Sequence, residues 1–141
     1  MSSNNFTVST GKMTVFQEFR AIIIIKNGIE WVNKEVNMKR KAFAMRLKPG
    51  CEAEYRKRHD EIWTELKDEL RKAGVSDYSI YLDRKTNTLF AFQYLSSDET
   101  SGNLPGKEIV KKWWRMMKDL MDTNPDESPV SDNLVEMFHM D

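Results

Sequence analysis

Apolar and polar residues alternate from Lys41 to Leu47, with Phe43, Met45 and Leu47 on one side and Ala42 and Ala44 on the other. A period of two is that of a strand lying in a sheet, and Pro49-Gly50 ends it. The spacing then lengthens. Ile62, Trp63, Leu66 and Leu70 recur at three- and four-residue intervals, which predicts a helix from about Glu52 to Ala73 with Gly74 as its C-terminal stop. Tyr78 to Leu82 and Leu89 to Tyr94 read as two further strands, joined by a hairpin over Asp83 to Thr88 that includes Asn87. A polar, Gly-containing stretch from Ser96 to Gly106 leads into a second helix over about Lys107 to Asp122. Its apolar positions include Ile109, Trp113, Met116, Met117 and Leu120, and Asn124-Pro125-Asp126 stops it. Leu134 to Met140 is expected to form the last strand.

The resulting order, βαββαβ, predicts an α+β fold. Two right-handed crossovers give a split four-stranded antiparallel sheet with both helices on one face, the ferredoxin-like arrangement. The strands carry apolar residues on both sides. Phe90, Phe92 and Tyr94 alternate with Leu89 and Ala91, and Val135, Met137 and His139 alternate with Leu134, Phe138 and Met140. One helix layer covers one side only, so the other side is expected to pack against the sheet of a second copy in a homodimer.

The first 37 residues differ in style from this unit. Met1 to Lys12 is rich in Ser, Asn and Thr, and residues 1–37 as a whole read as a poorly ordered or edge-pairing extension. Ile22 to Ile25 can form a strand, which Ile29, Trp31 and Val32 can extend. Residues 38–141 are expected to be the functional domain, and Met38 is a plausible alternative start of translation.

Composition narrows the function classes. The chain has 22 basic and 22 acidic residues and a formal net charge of zero, so no long-range field draws it to nucleic acid or an anionic membrane. Cys51 is the only cysteine and there are two histidines, too few for a disulfide, a thiolate cage or an all-protein transition-metal site. No apolar run is long enough to cross a membrane, and Ile22 to Ile25 is too short for a signal peptide. A cytoplasmic address is expected.

The candidate chemistry lies in Tyr55, His59, Tyr78, Trp113 and Trp114. Tyr55 and His59 stand one helical turn apart on one face, so both can reach one ligand; as a bare spacing they read more often as a surface pair. Adjacent Trp113 and Trp114 point about 100° apart on a helix, which gives one to the core and one to a pocket wall, or wraps the pair round a corner. Tyr78 can meet His59 if it faces the helices, and Tyr81 then lies on the other face of the sheet. His139 reads as a packed or interface residue.

Residues 38–141 resemble the L-rhamnose mutarotase family. The matching text is Arg40-Lys41-Ala42-Phe43; Glu54-Tyr55-Arg56 with Arg58-His59 and Ile62-Trp63; Tyr78-Ser79-Ile80-Tyr81-Leu82-Asp83; Leu89-Phe90-Ala91; Trp113-Trp114; and Asn124-Pro125-Asp126 with Ser128-Pro129-Val130-Ser131. The resemblance implies a dimeric α/β barrel and an isomerase that interconverts the α and β anomers of L-rhamnose, with related aldoses as further substrates. It implies that His59 is the proton donor, that Tyr55, Tyr78, Trp113 and Trp114 bind the sugar, and that no metal or cofactor takes part. The conjugate base is left open among Asp60, Glu61 and a bound water. The alternative is a dimeric module that binds a small ligand without catalysis. Two features depart from the family pattern. Residues 1–37 lie outside its usual extent. Ser101, Gly102, Pro105 and Gly106 replace a more helical stretch that more often carries Trp at the position of Ser101, so the second helix is expected to start late.

Overall fold

The computed structural model describes residues 20–25, 28–33, 38–96 and 101–140. The Ser-, Asn- and Thr-rich start lies outside the described residues, as do residues 97–100 of the polar connection. The chain divides into two compact units, Met1–Val36 and Asn37–Asp141. In the first, strands β1 (Arg20–Ile25) and β2 (Gly28–Asn33) pair antiparallel, with Ile22 opposite Trp31 and Ile24 opposite Ile29. The apolar run is therefore two strands, not one extended strand.

The second unit contains strand β3 (Lys39–Arg46), helices α1 (Glu52–Asp60) and α2 (Thr64–Lys72), strands β4 (Val75–Asp83) and β5 (Thr88–Leu95), helix α3 (Glu108–Met117) and strand β6 (Ser131–Asn133). The four strands form one antiparallel sheet in the order β4-β5-β3-β6. This is the order expected for a ferredoxin-like α+β fold. Met45, Leu89 and Ala91 project from one face of the sheet and pack with Tyr55 of α1 and Met117, Leu120 and Met121 of α3 and its C-terminal extension. Phe92 and Tyr81 lie on the opposite face, edge to face at 6.0 Å.

Three expected elements differ in the structure. The long helix over Glu52 to Ala73 is broken into α1 and α2. The Ile62 N–H turns back on the His59 carbonyl at 3.2 Å, and Trp63 is extended at φ −61°, ψ 138° before α2 begins. No Gly or Pro marks this break, and the apolar spacing runs straight across it, so periodicity gave no warning. The second helix ends at Met117 rather than near Asp122. Leu120 and Asp122 are drawn to the end of β3 instead: the Leu120 carbonyl accepts from Lys48 N–H and the Asp122 N–H donates to the Arg46 carbonyl. A tight 3-10 turn over Leu104–Gly106 precedes this helix, which starts at Glu108, while Ser101 before the turn is itself helical.

The last strand is also shifted. Ladder pairing covers Ser131–Asn133, opposite Met45 to Phe43. Beyond it the Leu134 N–H donates to the Ala42 carbonyl at 2.9 Å and Glu136 pairs with Arg40 at 2.7 Å, but residues 134–140 form no ladder. Alternation marks extended backbone, whereas a ladder also needs a partner in register. Within one chain that pairing stops at Asn133. The helix stop at Gly74 is as expected: its φ is +82°, and an added Cβ would meet the Ser96 side chain.

Candidate active site

Tyr55 and His59 stand one turn apart on α1, and their rings stack at 4.3 Å between centroids with 27° between planes. Tyr55 is buried against the sheet, so its ring forms a fixed floor under the imidazole. The His59 Nδ1 lies 3.0 Å from the Tyr55 carbonyl oxygen. A carbonyl only accepts, so in the neutral ring Nδ1 carries the hydrogen and Nε2 keeps its lone pair. Burial lowers the His59 pKa below the ordinary imidazole value, opposed by the bond to the Tyr55 carbonyl and by the Asp60 carboxylate. The resting ring is thus neutral near pH 7, with one defined basic nitrogen.

Helix α3 supplies the neighbouring wall. Trp113 meets His59 nearly perpendicular, at 5.2 Å and 88°, and also packs against the core cluster. Trp114, half-buried, lines the same groove. Neither indole is simply core: Trp113 combines a core contact with contact to the imidazole.

Tyr78 lies on the helix side in alternation with Ile80 and Leu82, next to a bulge in β4. Ser76 pairs with Tyr94 and Ser79 with Phe92, so Asp77 and Tyr78 together oppose Gln93. Asp77 takes the left-handed conformation, φ 46°, which Asp tolerates better than most residues. The extra residue shifts the alternation, and Val75 can face inward along with Ile80 and Leu82. Tyr78 packs at 6.3 Å from Phe43 and lines the groove that Tyr55, His59, Trp113 and Trp114 also line. Tyr78 keeps 41% of its surface open. Protein packed around its hydroxyl still pushes the phenol up to about 12. Burial first, and the Tyr78 phenol second, raise Tyr55 further. Both phenols therefore stay protonated over the working range, as hydrogen-bond donors and acceptors without charge.

The structure thus brings all five expected residues to one groove. Two contributors were not singled out from the sequence. Trp63 packs edge to face on Trp113 at 5.5 Å and 85°; the four-residue spacing of Tyr55, His59 and Trp63 was the available signal. Arg58 ties α1 to the end of α3. It donates two bonds to Asp119, at 2.7 and 3.1 Å, one to Glu54 at 2.8 Å, and one to the Met116 carbonyl. Nothing local in the sequence announces a partner 61 residues away. Among the described residues, no group of three His, Cys, Asp or Glu side chains is placed to hold a metal ion.

A sequence model described as L-rhamnose mutarotase matches residues 40–140. The chain belongs to the L-rhamnose mutarotase family. The L-rhamnose mutarotase of Bacteroides thetaiotaomicron is 62% identical over 104 residues, covering 74% of this chain and all of that protein. That of Rhizobium johnstonii is 57% identical over 105 residues, covering 74% of this chain and 99% of that one. Among solved structures, L-rhamnose mutarotase FA22100 from Formosa agariphila is similar at 52% identity with a TM-score of 0.68, covering 73% of this chain and 99% of that one. The five groove residues all fall inside the stretch matched by the mutarotase family.

Proposed function

We propose that this chain interconverts the α and β anomers of L-rhamnose by acid–base catalysis at His59. Membership of the mutarotase family supports the activity. The observation that carries the residue assignment is the neutral imidazole, with Nδ1 tied to the Tyr55 carbonyl and Nε2 left as the available base. Ring opening requires that O1 lose a proton, that the C1–O5 bond break to leave an aldehyde, and that O5 gain a proton. After rotation about C1–C2 the steps reverse and close the ring on the other face of C1. Nε2 takes the O1 proton and, as imidazolium, hands it to O5 as the C1–O5 bond breaks; in closing it takes the O5 proton and returns it to O1, so it serves as base and then as proton donor. Positioned proton transfer of this kind contributes about 10²–10⁴-fold.

The remaining groove residues bind. Tyr55 and Tyr78 offer uncharged hydroxyls to the sugar, and Trp113 and Trp114 offer flat apolar surface to the methyl group and C–H face of a deoxy sugar. Related aldoses that keep this face are further substrates. The reaction needs no metal or cofactor, and neither nucleic acid nor a membrane surface is a partner. The working address is the cytoplasm.

The working form is a homodimer through the outer sheet face. Tyr81 and Phe92 are 63% and 45% exposed there, and Val135, Met137, Phe138 and Met140 are also open to solvent. Apolar surface of this kind on one chain is suited to burial against a second copy.

Exchange NMR on the anomeric protons of L-rhamnose tests the activity. The protein should speed the interchange, and a folded His59→Ala variant should lose it by about 10²-fold or more. Sugar binding without faster interchange would instead identify a binding module.

A further inference from the structure

We propose that Trp63 is a positioning residue for this reaction: the break between α1 and α2 turns its ring against Trp113 and fixes that indole beside His59. The inference rests on the assignment of His59 given above. Three ring contacts form a continuous series. Tyr55 stacks on His59 at 4.3 Å, His59 meets Trp113 at 5.2 Å and 88°, and Trp113 meets Trp63 at 5.5 Å and 85°. Trp113 is therefore braced from two sides, by the reacting ring and by Trp63.

The backbone explains why Trp63 can act as a brace. Its carbonyl accepts from the Lys67 N–H at 3.1 Å and so opens α2, while the preceding Ile62 N–H is tied to the His59 carbonyl at 3.2 Å. Both sides of residue 63 are pinned, and one of the pins is the catalytic histidine's own peptide. In an unbroken helix residue 63 would stand about 6 Å along the axis from residue 59 on nearly the same face. The extended backbone at Trp63 gives the ring a different direction. Trp63 is half-buried and lies outside the central apolar cluster, whereas Trp113 packs on that cluster. Its ring is not among the groove-lining residues, so it acts through Trp113 and not on the sugar.

A brace of this kind controls two properties. It sets the plane against which the sugar lies, and displacement of that plane by about 1 Å can cost on the order of 10²-fold in rate. It also keeps water from the indole side of His59. The ionisable groups around the imidazole are Asp60, next to it in sequence, Tyr55 beneath it and Tyr78 across the groove, while α3 presents the Trp113 indole. Loosening Trp113 changes solvation without changing any of these charges.

The test compares Trp63→Phe, which keeps a flat ring, with Trp63→Leu, which keeps apolar bulk without one. Exchange NMR at saturating rhamnose should show the Leu variant slowed about tenfold with KM changed much less, and the Phe variant within about twofold of the parent. The pH midpoint of the Leu variant should move upward toward the ordinary imidazole value as solvent reaches the ring, with the Phe variant unmoved. The chain has only two histidines, so the His59 ring protons can be assigned by comparison with His59→Ala. Their shifts should move in the Leu variant and stay in the Phe variant, which reports the brace without reference to activity. Trp63→Met supplies the same comparison should the Leu chain not fold. Equal rates, midpoints and ring shifts in the Phe and Leu variants would overturn the proposal and leave Trp63 as filler. Failure of the parent protein to exchange rhamnose anomers would defeat the functional reading, while the ring shifts would still decide whether Trp63 braces the imidazole's neighbour.

Discussion

In the proposed reaction His59 acts through an asymmetry between its two nitrogens. The Tyr55 carbonyl takes the Nδ1 hydrogen, so a single nitrogen faces the groove as a base. Burial lowers its pKa, which means the neutral form persists to lower pH than for an exposed histidine. The neutral form is the active one, so the exchange rate should be full above neutrality and fall as pH drops through a midpoint below about 6.5. A pH series of anomer-exchange rates checks this; a rate that rises on acidification would mean that the imidazolium begins the reaction. The Tyr78 phenol at about 12 should add no falling limb between pH 7 and 9. Residue types and the one-turn spacing of Tyr55 and His59 were legible in the sequence. The ring stack and the tautomer were not, because both depend on side-chain rotamers and on a hydrogen bond to a backbone oxygen.

At the scale of elements, the proposed catalysis depends on the distance between α1 and α3, which carry His59 and Trp113. Arg58 bridges them, and the pairing has a clear electrostatic signature: the Asp119 and Glu54 carboxylates raise the guanidinium further, and Arg58 lowers Asp119 below the usual carboxylate range. Asp119 is 60% exposed, so the ion pair itself is screened and weak. The geometric restraint is the larger part, since the planar fork fits both carboxylate oxygens at once. Arg58→Lys should therefore lower the melting temperature by only a few degrees, in line with about 1 kcal/mol for a unit of this size, yet slow anomer exchange several-fold; calorimetry and exchange NMR on the same sample check the two halves. Among the elements, the last strand pairs before the stretch that alternation marked, whereas the other three strands of the four-stranded sheet and the stop at Gly74 followed from alternation and turn residues. The break between α1 and α2 and the bulge at Asp77 did not. Each is a local departure from regular geometry: the break turns Trp63 onto Trp113, and the bulge brings Val75 to the same side as Ile80 and Leu82.

For the whole molecule, the outer sheet face is the surface on which the proposed homodimer rests. Tyr81 and Phe92 sit together on it, and the exposed apolar tail beyond Asn133 continues past the paired part of β6. Burying a charge at the centre of such a face is costly when nothing pairs with it. Phe92→Glu should leave the chain folded and shift it from dimer to monomer, read by light scattering as a fall from twice 16.6 kDa to that mass. A parent protein that is monomeric at micromolar concentration would remove the dimer from this account.

The sequence by itself determined the βαββαβ order, the doubly apolar sheet and the five residues that meet in the groove, because periodicity, turn residues and family motifs are carried by neighbours along the chain. Tertiary structure alone decided which nitrogen of His59 is basic, how Trp63 packs on Trp113 and Arg58 ties α1 to the end of α3, and where β6 stops pairing. Those features join residues far apart in the chain or depend on rotamers, and local spacing encodes neither.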